Sequence, residues 1–452
     1  MKNICLYFLC LSVVFVSCKK ETEHVYDKSP DERLNETLAG YQKQLSGAQY
    51  GWKAVVFPAA GGAYAFYFKF NDSNRVQMVS DFDSNSARIL KESSFRLKAL
   101  QQPSLIFDTY SYLHLLADPD PNINGGRVGA GLSSDFEFYV DSTVADTMKL
   151  VGRFNGSKAI LTKATQQEAN AYTTGQYDIN LFTNSLNKIL EYFKRLTIGT
   201  QQYDLNISAS AKTVTFTWLD ASGNIQTFST SFYYTLTGIK FTAPFVNGST
   251  TISSLDNISW NASTSVLTVN ISSTTTATIV GGIKPLKVDL TAPQRWYLFA
   301  ATDPVYFSAS YNCFHKDGVD DFYNVHSVLP YYVTLFYPQF IRVPPNNELT
   351  DYFGMLYVVN NQLSLNNSFG PLFTPPTIDN TTGIIKFSAS PYVINPPTNL
   401  GTANRAKATQ VLAAVRNQMA EPTGYYIVQV GPNTYDMVNV LDARTWITWE
   451  PF

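Results

Sequence analysis

Cysteine, histidine and charged residues are scarce in this sequence. Its 452 residues include 4 cysteines and 4 histidines, and only 15% are charged, against roughly 25% in soluble domains. The low cysteine count excludes a disulfide framework. A formal net charge of −2 excludes the basic field that nucleic acid requires. The sequence therefore excludes nucleic acid as a partner and describes a surface built mainly from uncharged polar residues.

Apolar residues, by contrast, are abundant. Hydrophobic residues make up 45% of the chain and aromatic residues 14%, which excludes a disordered protein. The length is close to three times the ~150 residues of a typical domain. We expect two or three packed modules, each with a sizeable core.

The first residues are typical of a targeting segment. Lys2 supplies a positive charge, and Ile4–Val16 is apolar but shorter than the ~20 residues that span a membrane. The run ends in Val16-Ser17-Cys18, which resembles a bacterial lipobox. The sequence predicts that residues 1–17 are removed and that Cys18 becomes the lipidated first residue.

One amphipathic helix and a strand meander are predicted next. Ser29-Pro30-Asp31-Glu32 supplies an N-cap, a proline at the first helical position and a capping-box glutamate. From Tyr64 to Phe70 and from Phe136 to Val140 the spacing of apolar residues changes to two, the period of a half-buried strand.

The same order of elements, a helix followed by strands, is predicted a second time. Apolar residues from Ile179 to Leu196 recur at helical spacing, and strands are predicted at Val214–Trp218 and Leu267–Ile271. Ser94–Leu97 and Ser231–Tyr234 occupy similar places after the two helices, so the second module is a candidate duplicate of the first.

The last third is less regular. Three proline pairs, the middle one Pro375-Pro376, are expected to mark loops that strands do not cross. A helix is predicted over Ala403–Met419, followed by a hairpin whose strands run from Tyr425 to Val430 and from Tyr435 to Val440.

These patterns predict a mainly β protein with a few amphipathic helices (α+β). Its antiparallel sheets would form several sandwich- or barrel-like modules. The predicted segments are a signal peptide (1–17), a tether (18–28), an N-terminal helix plus β-meander module (29–166), a second helix plus β module (167–283) and a C-terminal mixed β module (284–452).

Five short motifs connect the first module to a known family. They are Asp31-Glu32-Arg33-Leu34, Tyr50-Gly51-Trp52, Ser104–Tyr110, Asp118-Pro119-Asp120-Pro121 and Ser134–Phe138, with Leu150–Ser157 extending the match. In these motifs the chain resembles a Bacteroidota lipoprotein family, the domain-of-unknown-function family 4302. The resemblance implies an outer-membrane lipoprotein that accompanies SusC/SusD-type uptake systems, and it supplies no catalytic residues.

The resemblance also implies exposure at the cell surface, but one feature of such proteins differs here. Surface-exported lipoproteins of this group often carry an acidic stretch after the lipid cysteine, whereas Lys19-Lys20-Glu21-Thr22-Glu23 is mixed in charge. We expect a lipid-anchored outer-membrane protein at the cell surface, with the periplasmic face as the alternative.

The best ion-site candidate comprises Asp118, Asp120, Asn122 and Asn124. Their oxygens recur at every second residue before Gly125-Gly126, as in a calcium loop. The alternative, which we favour, is a set of ordinary turn formers, because the flanking prolines stiffen the segment and position 12 holds no glutamate. No cofactor other than calcium is predicted.

Familiar catalytic signatures are missing, which favours a non-catalytic protein. His315 with Asp317, Asp320 and Asp321 is the one local mix of imidazole and carboxylates, and a solvated turn around Gly318 is the preferred interpretation. Aromatic candidates for sugar stacking are more typical of a core: Trp296-Tyr297, Tyr331-Tyr332, Trp446 and Trp449.

Two acceptor positions for O-glycosylation are also predicted. Asp141-Ser142-Thr143 and Asp146-Thr147-Met148 resemble the Asp-Ser/Thr-apolar pattern of these bacteria, which places the modification on Ser142 and Thr147. Three-residue patterns also arise by chance.

Three classes of function stay open at this point. The leading one is a non-catalytic binding or assembly component of a SusC/SusD-type nutrient uptake system, with a glycan, a peptide or the transporter as partner. The alternatives are a surface hydrolase acting on glycans or peptides and a structural envelope lipoprotein.

The lipobox yields a direct prediction. Replacing Cys18 with Ala should abolish metabolic labelling with palmitate and move the protein out of the membrane fraction, because Cys18 closes the only signal-like segment. Unchanged labelling and sedimentation of this variant would disprove the anchor.

Overall fold

The strands close into three antiparallel barrels of eight strands each. The structure, a computed structural model, describes residues 28–302, 307–325, 332–359 and 362–451. Within each barrel, strands that follow one another in sequence are neighbours, and the first strand pairs with the last. The prediction of a mainly β fold with a few helices is confirmed, and its modules are barrels.

The first barrel is closed by pairing of β1 with β8, in the register Ala54↔Leu161. Its strands are β1 (Trp52–Phe57), β2 (Tyr64–Phe70), β3 (Arg75–Ser80), β4 (Lys91–Ala99), β5 (Pro103–Phe107), β6 (Glu137–Val144), β7 (Thr147–Gly152) and β8 (Lys158–Lys163).

The second barrel is closed by β9 and β16, in the register Ile279↔Leu196. Its strands are β9 (Phe193–Ile198), β10 (Gln201–Ser208), β11 (Thr213–Leu219), β12 (Ile225–Tyr234), β13 (Ile239–Asn247), β14 (Thr250–Asn261), β15 (Val266–Asn270) and β16 (Thr276–Gly282).

The third barrel is closed by β17 and β24, in the register His315↔Trp446. Its strands are β17 (Phe307–Lys316), β18 (Tyr332–Val343), β19 (Glu348–Val359), β20 (Gln362–Asp379), β21 (Ile384–Ile394), β22 (Tyr425–Gly431), β23 (Thr434–Asn439) and β24 (Thr445–Pro451).

Helices lie before and between these strands. They are α1 (Pro30–Ser46), α2 (Ser84–Arg88), α3 (Tyr112–Leu115), α4 (Pro121–Asn124), α5 (Gln166–Thr173), α6 (Leu181–Leu186), α7 (Ala292–Ala300), a 3₁₀ turn (Thr398–Leu400) and α8 (Thr402–Met419). In the described part of the chain, none of the helices combines the length and the hydropathy of a membrane-spanning segment.

The chain divides into two compact units. The first contains the residues up to Gly61, Phe66–Ser80 and Ile89–Thr173. The second contains Gly62–Ala65, Asp81–Arg88 and the residues from Thr174 onward. The second and third barrels therefore belong to one unit. The five predicted segment boundaries stay a prediction.

Helix α1 begins as its sequence predicts. The Ser29 hydroxyl accepts a hydrogen bond from the Glu32 amide at 3.2 Å, and the Glu32 carboxylate accepts one from the Ser29 amide at 2.8 Å. This reciprocal capping box satisfies two amides that have no partner inside the helix. At the other end, the Trp52 indole donates to the Leu45 carbonyl at 3.0 Å and fixes the helix against β1.

Aromatic side chains pack inside all three barrels. In the first barrel Phe68 packs against Phe66 and Phe107, with ring centroids 5.4 and 5.6 Å apart. In the second, Phe216 and Phe245 stack at 4.7 Å. In the third, Trp296 of α7 packs 5.3 Å from Trp449. An eight-stranded barrel is just wide enough for side chains to fill it, and here aromatic rings do so.

Two sequence expectations were wrong. The helix predicted over Ile179–Leu196 ends at Leu186, and Phe193–Ile198 is strand β9, because β10 and β16 both pair with it to close the barrel. Pro375-Pro376 lies inside β20, where the register with β21 shifts between Thr374 and Thr377. A bulge tolerates the missing amide hydrogens of proline.

Other expectations are confirmed. Helix α8 (Thr402–Met419) and the hairpin of β22 and β23 lie where the sequence places them. The Ser-Phe steps at residues 94–95 and 231–232 fall in β4 and β12, the fourth strand of their respective barrels. Helix α7 was missed.

A buried ion pair lies within the second unit. The Lys212 ammonium is 2.9 Å from the Asp81 carboxylate, and Asp81 is fully buried. The carboxylate also accepts hydrogen bonds from the amides of Ala65 and Tyr234, at 2.9 Å each. Lys212 lies 4.1 Å from the centre of the Tyr64 ring. Burial raises the pKa of Asp81 and lowers that of Lys212, and the opposite charge counteracts each shift.

This pair yields a stability prediction. Lys212→Met leaves a buried carboxylate without its cation and should lower the free energy of unfolding by ~3–5 kcal/mol, measured by chemical denaturation. The double variant Asp81→Asn with Lys212→Met removes both charges and should lose less stability. A single variant as stable as the double variant would contradict this role of the pair.

Candidate functional site

The loop between β5 and β6 closes one end of the first barrel. It contains α3 and α4, and its Leu113 and Leu116 are 1% and 0% exposed. Leu113 lines a cavity of about 10 Å³ among barrel side chains such as Phe68 and Phe138. This space is on the order of one water molecule. The cavity under the loop is therefore too small for a nutrient ligand. A ligand of that size could contact only the outer face of the loop.

Aromatic rings stack on that outer face. The rings of Tyr110 and His114 are 5.5 Å apart with an interplanar angle of 30°, and those of His114 and Phe136 are 4.6 Å apart at 25°. Tyr110 is 49% exposed and Phe136 36%. Phe154, in the turn between β7 and β8 at the same end of the barrel, is 76% exposed. We call these four residues the aromatic rim.

The imidazole in the middle of the stack is held in place. The Ser111 amide donates a hydrogen bond to His114 Nδ1 at 3.2 Å. Burial lowers the pKa of His114, and the nearby Lys91 charge acts in the same direction, while a hydrogen bond to the Phe107 backbone and the Asp108 charge oppose it. The lowered pKa favours a neutral ring, which stacks between its two neighbours without desolvating a charge.

Asp135 fixes the two loops that carry the rim. Its Oδ1 accepts the amides of Phe154 and Asn155 at 2.9 Å each, and its Oδ2 accepts the Ser157 hydroxyl at 2.6 Å. A Cβ atom at Gly152 would lie 1.9 Å from that Oδ2, so only glycine permits this approach. A buried carboxylate with several hydrogen bonds makes the turn a rigid support.

Charged groups border the rings. The Tyr110 hydroxyl donates to the Asp118 carboxylate. Burial, together with this hydrogen bond and the Asp118 charge, raises the pKa of Tyr110 to about 12, while the hydrogen bond lowers the pKa of Asp118. The Lys91 ammonium lies 5.4 Å from the ring centres of both Tyr110 and Tyr112. The site thus combines flat apolar faces with one cation and one anion at their edge.

The structure gives the predicted calcium ligands local partners. Asp118 Oδ1 accepts the Asp120 amide at 3.0 Å, and Asp120 Oδ1 accepts the Asn122 amide at 2.9 Å. Asn124 Nδ2 donates to the carbonyls of Leu115 and Asp118, at 2.8 Å each. These are turn and helix-cap bonds. In the described part of the chain no group of three or more histidine, cysteine, aspartate or glutamate residues could hold a metal. Calcium binding stays a prediction.

The other predicted positions do not join the rim. Cys18 lies outside the described residues. Ser142 and Thr147 are half-buried on the β6–β7 hairpin, at the opposite end of the barrel from the β5–β6 loop. Their glycosylation stays a prediction.

Two candidate sugar platforms, Trp296 and Trp449, are fully buried in the core. Tyr331 lies outside the described residues. The rim itself was missed by the sequence patterns, although a long loop containing Tyr110 and His114 was a signal that could have indicated it.

Comparison with known proteins identifies a family. The family described as Domain of unknown function (DUF4302) matches residues 22–262. No curated protein matches the chain.

Two solved structures show some similarity. A protein of unknown function from the DUF3598 family of Nostoc punctiforme is 13% identical, with 56% of this chain and 84% of that chain covered and a TM-score of 0.15. The H. pylori beta clamp in complex with 5-chloroisatin is 9% identical, with 75% and 95% covered and a TM-score of 0.10. At these scores neither similarity supports an inference.

The Asp118–Asn124 segment yields a test. If the segment binds calcium, the ion should raise the melting temperature by mass action, and Asp118→Ala with Asp120→Ala should abolish the rise. If the side chains only form turns, calorimetric titration of the wild-type protein with calcium should release no heat. If calcium produces neither heat nor a change in melting temperature, these side chains only form turns and do not bind calcium.

Proposed function

We propose that this chain, which belongs to the DUF4302 family, is a lipid-anchored accessory protein of the outer membrane. We propose further that it acts by binding a ligand. In this proposal Cys18 carries the lipid, the residues up to Lys28 form the tether, and the folded part recognises a nutrient ligand, a glycan or a peptide. The family match itself covers residues 22–262 and supplies no activity, so the argument for binding rests on the chain's own geometry.

The observation that carries the proposal is the aromatic rim. Tyr110 and Phe136 present exposed rings on either side of His114. Exposed aromatic faces pack against the C–H-rich face of a sugar ring or against a proline or aromatic side chain of a peptide, and they do so at little conformational cost. Lys91 and Asp118 at the edge of the rings can exchange hydrogen bonds with the hydroxyl or amide groups of such a ligand.

The support beneath the rim favours recognition as well. Asp135 holds the Phe154 turn through four hydrogen bonds to residues 154, 155 and 157. Ser111 orients the central imidazole. A surface that is already ordered before the ligand arrives loses little entropy on binding, and binding loops on a rigid scaffold are a common arrangement. Association with a SusC/SusD-type transporter is part of the proposal on the strength of the sequence resemblance alone.

The proposal predicts the effect of removing the rim rings. Immobilised polysaccharides and peptides should retain the wild-type protein, and Tyr110→Ala with Phe136→Ala should weaken the affinity at least about 10-fold, as expected for loss of an aromatic anchor. Affinity electrophoresis or calorimetry with the retained ligand measures the change. Tyr392→Ala is the matched control, because Tyr392 is a 38% exposed ring in the third barrel.

A rim variant that binds as well as the Tyr392→Ala control would refute the role of the rim. Failure of the wild-type protein to bind any ligand of either class would count against nutrient binding. In that case, transporter subunits recovered with the tagged protein from its native membrane would indicate an assembly role.

A further inference from the structure

The imidazole in the middle of the aromatic stack also caps a helix. His114 is the third residue of α3, the position where a capping box ordinarily has a Glu or Gln that accepts the amide of the N-cap residue. Here His114 Nδ1 accepts the Ser111 amide at 3.2 Å, and Ser111 is 0% exposed. The stacked ring is therefore the acceptor for a buried backbone amide.

This hydrogen bond determines which nitrogen of the ring carries the hydrogen. A neutral imidazole has one donor nitrogen and one acceptor nitrogen. Because Nδ1 of His114 accepts the Ser111 amide, the hydrogen lies on Nε2. A further proton adds only at Nδ1, where it meets the hydrogen of that amide. The charged ring can donate to the Ser111 hydroxyl oxygen, which is also 3.2 Å from Nδ1, but the buried amide then loses its acceptor, which is unfavourable.

The charged groups nearest to His114 come from β4 and from the β5–β6 loop. The Lys91 ammonium, on β4, lies 5.4 Å from the centre of the Tyr110 ring, the ring that stacks on His114. Asp108, in the loop, is held in an ion pair with Arg96 at 2.8 Å. Burial and the Lys91 charge lower the pKa of His114, and they outweigh a hydrogen bond to the backbone of residue 107 and the Asp108 charge.

Other groups around the rim keep their charge state near neutrality. The hydrogen bond from Tyr110 lowers the pKa of Asp118, and burial together with Asp118 raises the pKa of Tyr110 to about 12. Strand β3, which also contacts α3, has one charged side chain, Arg75, at its opposite end. Histidine is the side chain whose charge ordinarily changes between about pH 5 and 8. A change in the charge of the rim in that range therefore comes from His114.

We propose that His114 makes ligand binding at the aromatic rim depend on pH, with binding near neutrality and release in acid. This switch rests on the proposed function, because it acts on the same site. When His114 takes up a proton, the Ser111 amide loses its acceptor and the backbone beside it rearranges. The Tyr110 ring is then no longer held against the imidazole, and the ligand loses one of its aromatic contacts. His114 is a positioning residue in this scheme.

The direction of the effect follows from the preference of the folded loop for a neutral ring. The loop has its full stability above the ordinary histidine pKa of about 6.5, and this stability is lost as the pH falls below that value. A ligand that covers the stack buries the ring further and again favours the neutral form. Ligand and proton therefore compete, and one coupled proton changes the affinity by at most about 10-fold per pH unit.

The first test uses the full chain without ligand. In an NMR titration, the ring signal that disappears in His114→Gln should have a midpoint below about pH 6.5. Hydrogen exchange, corrected for the pH dependence of the intrinsic rate, should show that residues 108–116 lose protection through the same midpoint. A midpoint at or above about 6.5, or protection that is constant across the titration, would overturn the proposal.

The second test compares retention by the same immobilised polysaccharides and peptides at about pH 7.5 and about pH 5. The wild-type protein should bind more weakly at the lower pH. His114→Gln should bind equally at both, because glutamine accepts the Ser111 amide as in an ordinary capping box and does not titrate. His315→Gln is the matched control: His315 stacks on Trp446 at 4.6 Å in the third barrel, and its loss should leave the pH dependence of the wild-type protein unchanged.

Two results of the second test would contradict the switch. One is equal retention of the wild-type protein at the two pH values. The other is a His114→Gln protein with the pH dependence of the wild-type protein. Failure of the wild-type protein to bind at either pH would instead count against nutrient binding, and the titration of the free protein would still decide whether His114 controls the loop.

Discussion

Closure of an eight-stranded barrel around its own side chains is the constraint on which the rest of this structure depends. A barrel of this size encloses a space that side chains can fill completely. Here aromatic rings occupy it, with Phe68 between Phe66 and Phe107 in the first barrel and Trp296 against Trp449 in the third. Burial of such rings dominates core energetics. Once the inside is filled in this way, chemistry is directed to loops and outer faces.

The outer surfaces of the first and third barrels both follow from this constraint. In the first barrel, the β5–β6 loop buries Leu113 and Leu116 over the barrel end and leaves Tyr110 and Phe136 outside. In the third barrel, alternation along β24 places Trp449 inside and Thr448 outside, because successive side chains of a strand point to opposite faces. In both barrels the packed core therefore orients the side chains that face outward.

The sequence predicted those parts of the fold that depend on local chemistry. The capping box at Ser29 and Glu32 needs residues three apart, and the alternation from Tyr64 to Phe70 needs only the strand period. Strand β9 was misassigned as helix because its pairing with β10 and β16 overrides a helical spacing of apolar residues. The sequence predicts a loop at Pro375-Pro376, whereas the structure has strand β20 there. A register shift allows the strand to contain both prolines, and such a shift cannot be predicted from proline alone.

The sites were less predictable than the fold for a related reason. The stack of Tyr110, His114 and Phe136 forms only after the β5–β6 loop has folded over the barrel end. The side chains of His315 and Thr448 show the same effect: they are 133 positions apart in the sequence and lie close together only because β17 and β24 pair to close the barrel. Contacts made by ring closure leave no periodic pattern in the sequence.

The most direct test of the central claim is hydrogen–deuterium exchange of the full chain with and without the ligand that it retains. If the ligand binds at the aromatic rim, its protection of backbone amides should be confined to the surface loops that carry the rim, residues 108–136 and 153–157. The inward-facing strands of the first barrel should exchange at the same rate in both states. Protection of β1, β2 and β8 with unchanged exchange in the two loops would place the ligand inside the barrel and refute binding at the rim.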